Sequence, residues 1–378
     1  LDPVVLVAGR HSALEAAGDV TPEAARESLR TGSDERLGAL EARVARVRAA
    51  AEGPGRAALV PLHDRLLRDS AVVLQRLTEG APIPNEPGVL TALEALVQLE
   101  GRPALRLDDN GVDPDDPELG EWQGAVVLHP TFAELQRSVG RIDTAQRDHA
   151  GTGFVVGDGL VMTNRHVLEV LAFPTPSRSN PAGWVLIGSP VVNFSPSGTD
   201  TTRSFRILEV VFSGPDPIDG RIDLAHLDLA LLRVEQTNAE GAELPPALKL
   251  ADQAVAVAAA KLFVVGYPAL PTRLPSDEEG KRRMDVVRRL QEIYDMKYGV
   301  RYLSPGLVLT SSAAVSESPR HWVFTHDATS LGGNSGSCVL SFDHNLDVAG
   351  LHFAGDWLRA NYAHAIDEVR STISGFVP

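Results

Sequence analysis

Cysteine is almost absent: Cys338 stands alone in 378 residues, so no intrachain disulfide can form and any core must hold by packing. Positive charge is scarce as well. Lys and Arg number 35 against 50 Asp and Glu, and the formal charge of −15 would repel a phosphate backbone, so nucleic acid is not an expected partner. Long apolar runs are missing too: none approaches the roughly 18 residues of a membrane helix. The opening Leu1-Asp2-Pro3-Val4-Val5-Leu6-Val7 is too short, and lacks the basic flank, for a signal peptide. These absences predict a protein without a membrane partner, in a reducing, cytoplasmic setting. What is present, 43% hydrophobic residues in a chain of this length, suits one large or two ordinary globular domains.

The first hundred residues carry apolar positions three and four apart among good helix formers. Thr21-Pro22-Glu23 combines an N-cap, a proline at the first helical position and an early acid, which marks a helix start. Ser33, Asp34 and Glu35 repeat the signal, and Leu37, Leu40, Val44 and Val47 form one stripe before Gly53-Pro54-Gly55 ends it. Stripes through Leu59, Leu62, Leu66, Val73 and Leu77, and through Leu90, Leu93, Leu96 and Val97, follow. Residues 1–101 are therefore expected to be a small all-α bundle, a regulatory or partner-binding domain without chemistry of its own. Its histidines, His11 and His63, are isolated.

Residues 102–120 are rich in Asp and Pro, with Asp108-Asp109-Asn110-Gly111-Val112-Asp113-Pro114-Asp115-Asp116-Pro117 at their centre. The acids lack the alternate spacing and closing Glu of a calcium loop, so a solvated linker is expected. From 121 to 378 the pattern changes to short runs of Val, Ile, Leu, Phe and Thr broken by Gly, Pro, Asn and Asp. Gly153–Val156, Trp184–Ile187, Ile207–Phe212, Leu229–Leu232, Leu262–Val265, Leu307–Thr310, Trp322–Thr325, Ser337–Leu340 and Val348–Leu351 are predicted strands. Many short strands without interleaved helices predict a barrel or sandwich. The charged stretch 276–298 predicts a helical insertion, and residues 366–373 a final short helix.

Three segments carry chemistry. Gly332-Gly333-Asn334-Ser335-Gly336-Ser337 puts a serine in a glycine-rich turn, where missing side chains let the amides of Gly333 and Ser335 approach a carbonyl oxygen. Gly151-Thr152-Gly153-Phe154, then Val161-Met162-Thr163-Asn164-Arg165-His166, brings an imidazole to the end of a strand. His226-Leu227-Asp228-Leu229-Ala230 places a carboxylate at the mouth of an apolar strand. A serine hydroxyl, an imidazole to take its proton and a carboxylate to hold the imidazole are what acyl transfer by serine needs. Asp223 is the rival acid, and His226 and His326 are the rival bases. Cys338 lies on a strand three residues past Ser335, where an inert buried thiol is expected. No His or Cys spacing fits zinc, and no cofactor is expected.

In this order the three segments resemble the trypsin-like, chymotrypsin-fold serine peptidases. The Gly-Asn-Ser-Gly loop resembles the bacterial glutamyl endopeptidase and HtrA-like branches most. The resemblance covers roughly residues 138–370 and implies two six-stranded β-barrels, starting with Ser138-Val139-Gly140-Arg141-Ile142, after the small all-α bundle. It implies a serine endopeptidase with His166, Asp228 and Ser335 as catalytic triad, Gly333 and Ser335 as oxyanion donors, and a peptide or protein as substrate. Trypsin itself has an aspartate before its nucleophile; Asn334 is neutral here, so activation by a new N-terminal amine is not expected. By the same resemblance, the pocket for the residue before the cut is lined by Thr329, Ser330, His352, Phe353, Ala354 and Gly355. Thr329 stands where trypsin has an acid, and His352 with Ser330 suggests a preference for glutamate. Two other readings stay open on sequence alone: a catalytically silent scaffold, and a general quality-control peptidase.

Overall fold

The computed structural model describes residues 102–116, 118–124, 132–175, 183–218, 223–269, 294, 297–356 and 360–377. The helices expected over 1–101 lie outside the described residues. So does the insertion expected over 276–298, apart from Tyr294, Lys297 and Tyr298. The bulk of the description belongs to one compact unit, Ala104–Pro378.

The first barrel closes from β3 (Val139–Asp143), β4 (His149–Gly157), β5 (Leu160–Thr163), β8 (Val191–Asn193), β9 (Ser204–Ser213) and β10 (Ala230–Val234), in the order β10-β5-β4-β3-β8-β9. All its pairings are antiparallel, from Phe154↔Met162 on β4 and β5 to Leu231↔Phe212 on β10 and β9. Ile142, Val155, Val161, Val192, Phe205, Ile207 and Leu232 fill its interior, with Phe194 edge-on to Phe205 at 5.6 Å. Side chains alternate across a strand, so Phe205 and Ile207 point inward while Arg206 and Leu208 face out. A small pair, β6 (Ala172–Pro174) with β7 (Trp184–Leu186), lies outside the barrel order.

The second barrel comprises β11 (Lys261–Gly266), β12 (Tyr302–Thr310), β13 (Val323–His326), β14 (Cys338–Ser341), β15 (Val348–Asp356) and β16 (Ala360–Ala365). They run in the order β11-β14-β15-β16-β13-β12, and β11 pairs back with β12 from Lys261↔Leu307 to Gly266↔Tyr302, which closes the ring. Leu262, Val264, Val308, Phe324, Val339 and Ala363 pack inside. The last helix, α2 (Ile366–Ile373), buries Ile366, Val369 and Ile373, a spacing of three and four that keeps one stripe inward. Each predicted strand falls on an observed one, although β4, β9, β12 and β15 run three to five residues beyond an expected end, and the double barrel is the expected one.

The stretch expected to be a solvated linker differs. It carries β1 (Leu105–Asp108), paired through Leu105↔Leu303 to β12, and a turn into β2 (Gly111–Val112). Leu105, Leu107, Leu119 and Trp122 are all buried, Trp122 edge-on to Phe263. The acids that suggested a linker make turns instead: Asp108 Oδ1 accepts from Asn110 N at 2.6 Å and Asp116 Oδ1 from Glu118 N at 2.9 Å. Four strand residues with only two inward leucines are too short a signal to stand out in such an acidic run.

Candidate active site

His166 is not at a strand end. It stands in the first turn of α1 (Arg165–Leu171), which follows β5 directly after Asn164. Asn164 does not cap that helix with its side chain; its Nδ2 donates to the carbonyl of Asp228 at 2.8 Å. Asp228, two residues before β10, turns its carboxylate to His166: Oδ1 accepts from the His166 amide at 2.9 Å and Oδ2 lies 2.6 Å from Nδ1. Its own amide donates to Nε2 of buried His364 at 3.0 Å. Burial works against the charge on Asp228, but the hydrogen bonds and charge of His166 outweigh it and hold the carboxyl below the usual carboxylate range. His364 is pushed down to about 4 by burial, against the pull of Asp228.

The nucleophile loop hangs between the barrels on Thr152 of β4. The Thr152 amide donates to Ser335 O at 2.8 Å, and its hydroxyl donates to Gly333 O at 2.7 Å while accepting from Tyr267 N at 3.1 Å. The Thr152 carbonyl in turn accepts from Thr163 Oγ1 at 2.6 Å. Gly336 has φ +88°, and a Cβ there would lie 1.9 Å from Thr152 O, so only glycine fits. Gly333 also has φ +88°, with Tyr267 O 2.6 Å from where its Cβ would be. The Gly332 carbonyl is held by Ala269 N at 2.6 Å. Among the described residues, the amides of Gly333 and Ser335 donate to no protein acceptor.

The rival residues are engaged elsewhere. His226 faces Asp223 at 3.6 Å, both partly exposed. His326 is fully buried in the second barrel, where its Nε2 meets Nδ1 of His352 at 3.3 Å. Cys338 is buried on β14, and burial pushes its thiol up to about 12. Of the residues expected around the substrate, His352 hydrogen-bonds the nucleophile loop through its backbone: its carbonyl accepts from Gly336 N at 2.9 Å and its amide donates to Ser337 O at 3.0 Å. Ser330 Oγ donates to Asn361 Oδ1 at 2.6 Å, beside Gly355. Phe353 stacks on His364, ring centroids 4.4 Å apart, and packs with Leu224, Val315 and Val323.

A family model of the trypsin-like peptidase domain matches residues 151–351, from the glycine before Thr152 to the residue before His352. The chain belongs to this family. A probable serine protease of Lysobacter enzymogenes is 31% identical over 306 residues, 75% of this chain and 74% of that protein. The crystal structure of the Rv3671c protease in its inactive form is 20% identical, covering 69% of this chain and 95% of that one, with a TM-score of 0.38. The serine endoprotease of Yersinia pestis is 15% identical, covering 64% and 63%, at the same TM-score of 0.38. The protein is a trypsin-like serine peptidase.

In this peptidase the sequence pointed to Ser335, His166 and Asp228 but passed over their supports. Thr152 and Asn164 lie inside the quoted motifs as ordinary polar residues. His364 and Asn361 lie on β16, outside every motif, and only the tertiary fold brings them to Asp228 and Ser330.

Proposed function

We propose that Ser335 attacks the scissile carbonyl of a peptide, with His166 as general base and Asp228 as the group that orients it. The proton on Ser335 Oγ passes to Nε2 of His166, and Asp228 keeps Nδ1 protonated and stabilises the imidazolium. His166 then gives the proton to the leaving amine, and water repeats the cycle on the acyl-enzyme. The amides of Gly333 and Ser335 receive the developing oxyanion, which suits donors that have no protein acceptor. The paired contact of Asp228 with both the amide and Nδ1 of His166 carries this reading.

The residue before the cut meets Thr329, Ser330, His352 and Gly355 in this reading. A polar side chain is its substrate class; glutamate is the member the sequence suggested. Residues 1–101 would restrain the site or recruit a partner, supported by their helical pattern alone. A chain starting at Arg102 that cleaves faster than the intact one supports restraint, and equal rates remove it.

Fluorophosphonate labelling tests the core of the proposal. Label should enter the intact chain and be lost in Ser335→Ala. Label retained in that variant overturns Ser335 as nucleophile.

A further inference from the structure

Two hydrogen-bond networks beside the nucleophile loop constrain which atoms donate and which accept. A backbone carbonyl only accepts, so the 2.7 Å contact between Asn361 and Ala328 O fixes the Asn361 NH2 on that side. Asn361 Oδ1 then faces Ser330 Oγ at 2.6 Å, and an amide oxygen only accepts as well. The hydroxyl proton of Ser330 is therefore committed to Asn361, and Ser330 has lone pairs to offer anything else. Gly355 keeps this corner open: a Cβ there would lie 2.4 Å from Asn361 Oδ1.

The second network is the histidine pair. His326 Nε2 and His352 Nδ1 are 3.3 Å apart, so one of these nitrogens carries the shared hydrogen. Nδ1 of His326 is buried and has no partner among the described residues. An orphaned N–H costs more than an orphaned lone pair, so Nδ1 is the bare nitrogen and His326 carries its hydrogen on Nε2. His352 therefore accepts at Nδ1 and carries its own hydrogen at Nε2. Burial, with the nearby charge of His166, pushes His352 down to about 3, so the ring is neutral at ordinary pH. His326 and Asn361 are direct cross-strand partners on β13 and β16, which puts both networks on one face.

We infer that this face selects glutamine over glutamate as the side chain before the scissile bond, its carbonyl oxygen accepting from His352 Nε2 and its NH2 donating to Ser330 Oγ. The inference rests on the proposed function and narrows its substrate class. A carboxylate offers only acceptors, so it would set lone pairs against those of Ser330. A carboxamide of the same shape matches one donor and one acceptor. A site built to hydrogen-bond a particular group discriminates strongly against a near-isostere that leaves its polar atoms unpaired.

The test uses the full chain at neutral pH with four fluorogenic peptides that differ only before the cut: Gln, Glu, Met or Lys. The expected kcat/KM for Gln exceeds that for Glu by about tenfold or more. Ser330→Ala should reduce the Gln to Met ratio about fivefold or more while Ser335 still takes up fluorophosphonate. A ratio unchanged in that variant overturns the role of Ser330. Labelling also separates the two levels of the reading. If Ser335 takes no label, the proposed function itself fails. A labelled chain that cleaves after Glu, Met or Lys as fast as after Gln, or after none of the four, overturns this inference alone.

Discussion

Asp228 grips His166 twice, through Oδ1 to the backbone amide at 2.9 Å and through Oδ2 to Nδ1 at 2.6 Å. The first contact fixes where the residue is and the second fixes which way its ring faces and which nitrogen is protonated. Asp228→Asn keeps the shape but presents an NH2 or a neutral oxygen to Nδ1. Steady-state kinetics should show kcat lower by roughly 10⁴-fold, with the fold intact by circular dichroism. A loss below tenfold would remove Asp228 from the triad.

Thr152 holds the loop that carries the proposed oxyanion donors: its hydroxyl donates to Gly333 O and its amide to Ser335 O. Thr152→Val removes the first contact at nearly constant volume. We expect kcat to fall about 10- to 100-fold with KM little changed, since the lost geometry serves the transition state. Thr152→Ser should recover most of the rate. Equal kcat in wild type and Val would show that the hydroxyl serves stability only.

The glycines of the loop are not equivalent. A Cβ at Gly336 would meet Thr152 O at 1.9 Å, whereas one at Gly332 would meet nothing within 4 Å. Gly336→Ala should abolish fluorophosphonate labelling, and Gly332→Ala should leave its rate within about threefold. The reverse order would mean that the loop takes another shape.

Stability should fall with acid from about pH 6.5 because of the buried histidines. Burial holds His352 down to about 3 and His364 to about 4, and His326 well below its ordinary value. Unfolding frees them to bind protons below about pH 6.5, so the unfolded state holds more protons and folding weakens as pH drops from there towards 4. Each histidine contributes a slope of about 1.4 kcal/mol per pH unit in that window. Urea midpoints from pH 7.5 to 4.5 measure it. A flat profile, or one that rises towards acid, contradicts the burial of these rings.

The segment before the first barrel is part of the fold. A chain starting at Arg102 retains β1 and the buried Leu107, Leu119 and Trp122; one starting at Gln123 loses them all. The shorter chain should be less stable in urea by on the order of 5 kcal/mol, from about 1.5–3 kcal/mol for each buried side chain. Equal midpoints would make the segment dispensable.

Most of the double barrel was legible because short runs of Val, Ile, Leu and Phe are broken by Gly, Pro, Asn and Asp, and β9 adds an inward and outward alternation in Phe205-Arg206-Ile207-Leu208. Strand β1 was hidden by its acidic surroundings, and the α1 position of His166 by a strand pattern that runs on to Thr163. The loop around Ser335 was legible because its glycines occupy backbone conformations and close approaches that other residues cannot, a constraint written locally in the chain.

By itself the sequence determined the class of chemistry: a serine in a glycine turn, a histidine after Thr163-Asn164-Arg165 and an acid at a strand mouth are each local patterns. Which carboxylate meets which imidazole, and which residues brace them, was decided only by the tertiary structure. Asp228 reaches His166 across 62 residues, His364 reaches Asp228 across 136, and Thr152 reaches Gly333 across 181. Contacts at such separations depend on barrel closure and strand register, and no local pattern of side chains encodes the position of a partner on another strand.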